Sequence, residues 1–208
     1  MQIDLNSALL LFHDDIAQHY RKHEETFDLE SFHGRFHIIR CLILADLICN
    51  YYISKSIHVN VSKTFIAVLF HDIAREDNGI DLWEKDSAIR CFDYLVNKGF
   101  EHDFAFQTSK IILKSNLQTI EEQILYDVDV LDYNRFFLLP VERDFFDNYR
   151  LLFADYKDIT SIIDEAARKK IIEFSQQLIM LSYYLSVEID TANLVAKMNE
   201  YYTEFKPW

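Results

Sequence analysis

Three glycines and two prolines in 208 residues leave this chain few places to turn sharply. Hairpins and barrel corners draw on those residues repeatedly, so a many-stranded β fold is disfavoured. Half the residues are hydrophobic and 15% are aromatic, ample for one core. No stretch alternates polar and apolar residues convincingly with period two. The prediction is an all-α fold, a bundle of packed helices in a single domain over residues 1–208.

Leu9, Phe12, Ile16 and Tyr20 recur at helical spacing and predict a helix over about 5–24. Ser31 is the candidate cap of a helix running to about Tyr52, with Phe36, Ile39, Leu42, Ile43 and Leu47 on its apolar face. Ser62 is the candidate cap of the next helix, which ends at His71-Asp72. A helix from Asp86 or Ser87 to Asn97 follows, stopped by Gly99. Two more are predicted over about 102–115 and 119–133, before a break near Pro140. The last third reads as helices over about 142–155, 160–186 and 190–203, with Asp190 or Thr191 capping the final one. Phe136 to Leu139 and Phe145-Phe146 are expected in the core. The aromatic pairs Tyr183-Tyr184 and Tyr201-Tyr202 either pack there or form a homodimer face.

The net charge is −13, and so acidic a surface repels nucleic acid and anionic membranes; neither is an expected partner. A phosphate substrate would need a local positive site. No apolar run approaches 18 residues without a charge, so no membrane span is expected. The first residues lack the basic region of a signal peptide. Cys41, Cys49 and Cys91 are odd in number and lack metal-type spacing. They read as buried free thiols and suit a cytoplasmic location.

The apolar run Phe65 to Leu69 delivers His71 and Asp72 together to a helix end. An imidazole and a carboxylate at such a place are candidate ligands for a divalent ion. The dipeptide alone carries little, because His13-Asp14 repeats it and is read as incidental. Its company carries more. Upstream stand His33, Gly34, His37 and Arg40; downstream stand Asp127, Asp129 and Asp132.

That set, H-x-x-R, then His-Asp, then Asp-x-Asp-x-Leu-Asp, resembles the HD-domain superfamily of metal-dependent phosphohydrolases, particularly its small stand-alone members. The similarity covers an HD-like core of about 30–135, leaving a helical extension over about 140–205. The resemblance implies His37, His71, Asp72 and Asp129 as metal ligands, with Asp127 the weaker choice. It implies one divalent ion, whether manganese, iron, nickel, cobalt, zinc or magnesium, and a catalytic role for Asp72. A metal-activated water would then cleave a phosphate ester of a small molecule, a nucleotide among them. Arg40 and Arg75 would clamp the phosphate, or else pair with nearby carboxylates. His33 lies one turn before His37 and would touch substrate, move a proton, or serve as a polar neighbour. Gly34 either admits a close backbone approach or starts the helix. Asp132 could orient a ligand from behind, with Arg135 pairing nearby. Glu76, Asp77 and Asp81 form an acidic loop that offers an acid or base, or is simply solvated.

The departures from the family pattern are also informative. Histidines that hold a second ion in many small HD proteins are replaced by Glu84 and Lys114. An ammonium cannot ligate a metal, so one ion is expected rather than two. Lys114 reads as an exposed lysine or as facing the phosphate of a substrate, and Glu84 as facing substrate or ligating an ion. Two other readings stand beside the enzyme: a catalytically inactive regulatory module that binds metal or nucleotide, and an all-α interaction protein.

Overall fold

The first helical stretch changes register partway along. α1 (Leu5–Leu11) passes through a π turn at Phe12–Ile16 into α2 (Ala17–Thr26). Asp4 caps α1 by accepting from the Ser7 amide at 2.8 Å. The wide turn keeps Leu9, Phe12, Ile16 and Tyr20 all buried, as the spacing predicted. A computed structural model describes residues 3–26, 33–76, 82–133, 164–186, and 196, 197, 199, 200 and 202–204. Among these residues there is helix and no strand, so the chain is all-α.

The remaining elements are α3 (Arg35–Ser54), α4 (Val61–Phe70), α5 (Glu84–Asn97), α6 (His102–Ile112), α7 (Ile120–Asp132) and α8 (Glu165–Ser186). α3 is the axis, packed by α1, α2, α4, α7 and α8. By length and composition it could cross a membrane, but 78% of its apolar window is buried inside the protein. Every residue of α4 from Thr64 to Phe70 is buried as well, against α1, α3, α5, α6 and α7.

Two predicted serine caps and one predicted helix start are corrected. The second helix begins at Arg35 rather than 31, and its N-cap is Gly34. Glu24, on α2, accepts from the Arg35 amide at 2.6 Å and from Arg35 Nε at 2.7 Å. A carboxylate thus satisfies a helix N-terminus from outside the helix. A Cβ at Gly34 would stand 2.2 Å from Glu24 Oε1, so any larger residue there would push this carboxylate aside. Asn60, not Ser62, caps α4, its side chain accepting from the Lys63 amide at 3.1 Å. The Ser62 hydroxyl instead accepts from the Ile3 amide at 2.8 Å. α5 starts at Glu84, and Ser87 Oγ accepts from the Ala74 amide at 3.1 Å. Thr119 and Glu122 close a reciprocal capping box on α7.

α8 lies on α3 and α7. Tyr202, buried against Phe174, donates to Asp46 on α3 at 2.5 Å. The three cysteines are buried and free, as expected. The predicted helix over 142–155, Ser31, Asp77, Asp81, Arg135, Phe136 to Leu139, Pro140, Phe145-Phe146, Asp190, Thr191 and Tyr201 lie outside the described residues, as do the side chains of Tyr183 and Tyr184.

Candidate metal centre

α4 must end inside the protein, where an unsatisfied carbonyl costs about 1–3 kcal/mol. Its last carbonyls are met one by one. His71 Nδ1 lies 2.8 Å from Val68 O, Tyr20 Oη donates to Leu69 O at 2.9 Å, and the Ile73 amide donates to Phe70 O at 3.1 Å. The turn through 71–75 is then tied to α5, with Arg90 Nη1 donating to Ile73 O at 3.0 Å. His71 and Asp72 are held by this closure, at 1% and 4% exposure.

His37 comes from the first turns of α3 and is fully buried. Its Nδ1 lies 2.7 Å from Asp132 Oδ2, and Asp132 is itself gripped by Arg40 through Nε at 2.5 Å and Nη2 at 3.0 Å. The Asp132 carboxylate therefore fixes the Nδ1–H tautomer of His37, as the Val68 carbonyl does for His71. Both Nε2 lone pairs are left facing one another, 3.1 Å apart. Two acceptors at that distance repel unless an electrophile lies between them.

Two carboxylates complete the ring. Asp72 Oδ2 is 3.5 Å from His37 Nε2 and 3.7 Å from His71 Nε2. Asp129 Oδ1 is 3.6 Å and 4.0 Å from the same two atoms. Adjacent and opposite donors around a six-coordinate ion with bonds of ~2.1 Å stand ~3.0 Å and ~4.2 Å apart. The observed separations fall in that interval, so these four side chains suit a divalent ion. His37, His71 and Asp72 are buried ligands close enough together to hold a metal ion.

Burial pushes the Asp72 carboxyl up, but the His71 and His37 imidazoles and Arg75 outweigh it and hold the group well below the usual range. Asp129 likewise lies low: burial is outweighed by Lys114 and the two imidazoles. Burial lowers His71, against the pull of Asp72 and Asp129, so the imidazole stays neutral and ligand-ready.

Asp127 is fully buried but stands about 200° around α7 from Asp129, on its other side. Asp132 shares the Asp129 face and takes the orienting role expected of it. Arg40 is not open to a phosphate. Its guanidinium is committed to Asp132 and to Ser182 Oγ, 3.0 Å from Nη1, because a buried charge must be paired. Arg75 is buried beside Asp72, with Nη1 3.6 Å from Oδ1. His33 stands edge-on to His37 with ring centres 6.0 Å apart, outside the donor ring. Lys114 is not an exposed lysine: Nζ lies 3.2 Å from both Asp129 Oδ2 and Glu84 Oε1. Glu76 is exposed.

Glu24, Ser182 and Cys41 were not singled out as site residues from sequence. Cys41 Sγ lies 3.5 Å from His37 Nδ1, and burial pushes its thiol up to about 11, so it stays protonated. Its position one turn after His37 was the available signal. Ser182 offered none, since its partner is 142 residues away.

No family model, curated protein or solved structure matches this chain. The fold and site define an all-helical protein with a buried His/Asp cluster able to hold a metal ion.

Proposed function

We propose that this chain is an HD-type, single-ion phosphohydrolase cleaving a phosphate ester of a small molecule, a nucleotide among the candidates, in the cytoplasm. The observation that carries the reading is the facing Nε2 pair of His37 and His71, 3.1 Å apart, with both Nδ1 atoms already engaged. Facing imidazoles flanked by two carboxylates accord with the H-x-x-R, His-Asp and Asp-x-Asp pattern.

A bound divalent ion supplies Lewis acidity, acidifying water and offsetting charge on phosphoryl oxygens. The protein's own groups do the rest. Asp132 and Val68 hold the imidazoles in one tautomer and orientation. Arg75 meets a phosphate oxygen from beside Asp72, and His33 contacts substrate or carries a proton. Arg40 acts through Asp132 as a positioning residue. Burial of His37, His71 and Asp72 keeps bulk water from three of the four ligands.

The test is phosphate release from a panel of nucleotides and sugar phosphates with added manganese or nickel. Release that disappears in Asp72→Ala is the expected result; none from any substrate rejects the enzyme. The engagement of Arg40 and Lys114 by carboxylates favours a second reading, a catalytically silent module that keeps the ion. Ion uptake without release on any substrate would select it.

A further inference from the structure

The outer edge of the centre is built differently from its floor. Asp129 turns Oδ1 toward the imidazole pair and Oδ2 toward Lys114, 3.2 Å away. The lysine is gripped from its other side by Glu84, the first residue of α5, also at 3.2 Å. Its side chain is only 9% exposed although it comes from a connecting loop.

A carboxylate that offers one oxygen to each of two cations is a common device of two-metal centres, whose ions stand about 3.5–4 Å apart. Here one side faces the candidate ion and the other faces an ammonium. The backbone is bent to supply it. Lys114 has φ +46° and Leu117 φ +48°, left-handed values that cost a non-glycine residue of order 1–3 kcal/mol. Neither position is glycine or asparagine, the residues that take such angles readily.

We propose that Lys114 is a built-in second cation: its ammonium, clamped between Glu84 and Asp129, fills the place a second divalent ion would take and so restricts the centre to one ion. The inference rests on the metal-centre reading above. Three carboxylates, Asp72, Asp129 and Glu84, face two fixed cations, Arg75 and Lys114. One divalent ion more than balances that set, and a second would be repelled at close range. Without the ammonium, Glu84 and Asp129 become two carboxylates aimed at one point. A histidine at 114 would add an imidazole to them and complete a second ligand set.

The experiment is manganese(II) uptake by the full chain after equilibrium dialysis, read by elemental analysis and by electron paramagnetic resonance. The wild type should hold one ion with an uncoupled spectrum. Lys114→His should hold two and show a spin-coupled pair, and Glu84→Gln added to it should return the count to one. Lys114→Ala, which needs no new ligand to fit, should bind a second ion at least ten times more tightly than wild type does. A wild type with two ions, or Lys114→His and Lys114→Ala that both stay at one with wild-type second-ion affinity, would overturn the proposal. No uptake by the wild type would overturn it along with the metal centre. One ion without phosphate release would reject the hydrolase and leave this inference standing. Two ions with release would do the reverse.

Discussion

Of the three His-Asp dipeptides in this chain, two come to opposite ends. His13-Asp14 sits on the π turn of the first helical stretch, with side chains 52% and 68% exposed, and the two groups bond to each other at 2.9 Å. His71-Asp72 closes α4 with side chains 1% and 3% exposed. There Nδ1 is turned away to Val68 O, and Nε2 faces His37. Chemistry at this pair depends on where the residues are delivered. An exposed pair satisfies itself and water, whereas a buried one must find partners from other helices, and those partners are ligands.

The strongest way to break this contrast is to remove each aspartate in turn. Asp72→Ala should weaken manganese uptake more than about 100-fold, beyond the loss typical of an orienting neighbour. Asp14→Ala should leave uptake unchanged. Thermal unfolding gives a second readout, since an ion at 100 times its Kd stabilises the fold by about 2.7 kcal/mol. That stabilisation should persist in Asp14→Ala and vanish in Asp72→Ala. Equal behaviour of the two variants would mean the buried pair holds no ion.

Asp132→Asn sharpens the contrast by acting behind a ligand. It strips the charged partner from Arg40, which is 4% exposed, and the anionic acceptor from His37 Nδ1. Breaking a buried pair on one side costs about 3–5 kcal/mol, measurable by urea unfolding. Ion affinity should fall about 10–100-fold. A variant that unfolds as wild type does would show that Arg40 finds another partner.

The contrast also explains what sequence could reveal. The α4 run and the two candidate ligands at its end were legible because helical periodicity is a local fact, whereas Asp129 was singled out by the resemblance and Asp132 by its spacing from it. The caps were not. Ser31, Ser62 and Ser87 all fit local rules for a helix start, yet the Ser62 and Ser87 hydroxyls bond to Ile3 and Ala74, and α3 takes its cap from Glu24. Arg40 was read with a phosphate role and a salt-bridge role both open, and Lys114 as facing phosphate or as exposed; which carboxylate lies nearest is set only by tertiary packing. Charge type was legible; charge partner was not.

Acid supplies a smaller effect. The folded pKa of His71 lies below its ordinary 6.5. Below that pH the unfolded chain takes up a proton that the ion-free fold resists, so stability falls as pH drops through 6.5 toward the lowered value. Asp72 adds its own loss at lower pH, as the usual carboxylate range is crossed. In ion-free protein, His71→Gln should flatten the first part of this slope in unfolding measured from pH 7 to 5. An unaltered slope would assign the acid sensitivity to other groups.

The smallest effect tests how far the buried network extends. Ser182 on α8 accepts from Arg40 Nη1 at 3.0 Å while donating to Ile179 O at 2.8 Å. Through Arg40 and Asp132 it is three contacts from the His37 Nε2 atom, and nothing comparable stands behind His13 among the described residues. Ser182→Ala removes one acceptor from a buried guanidinium and should cost about 1 kcal/mol, or 2–4 °C in Tm. Paired with Asp132→Asn in a double-mutant cycle, it should show coupling of about 0.5–3 kcal/mol, because both act on the same guanidinium. Additivity within about 0.5 kcal/mol would confine the network to α3 and α7 and make α8 a cover for the core, with no share in orienting His37.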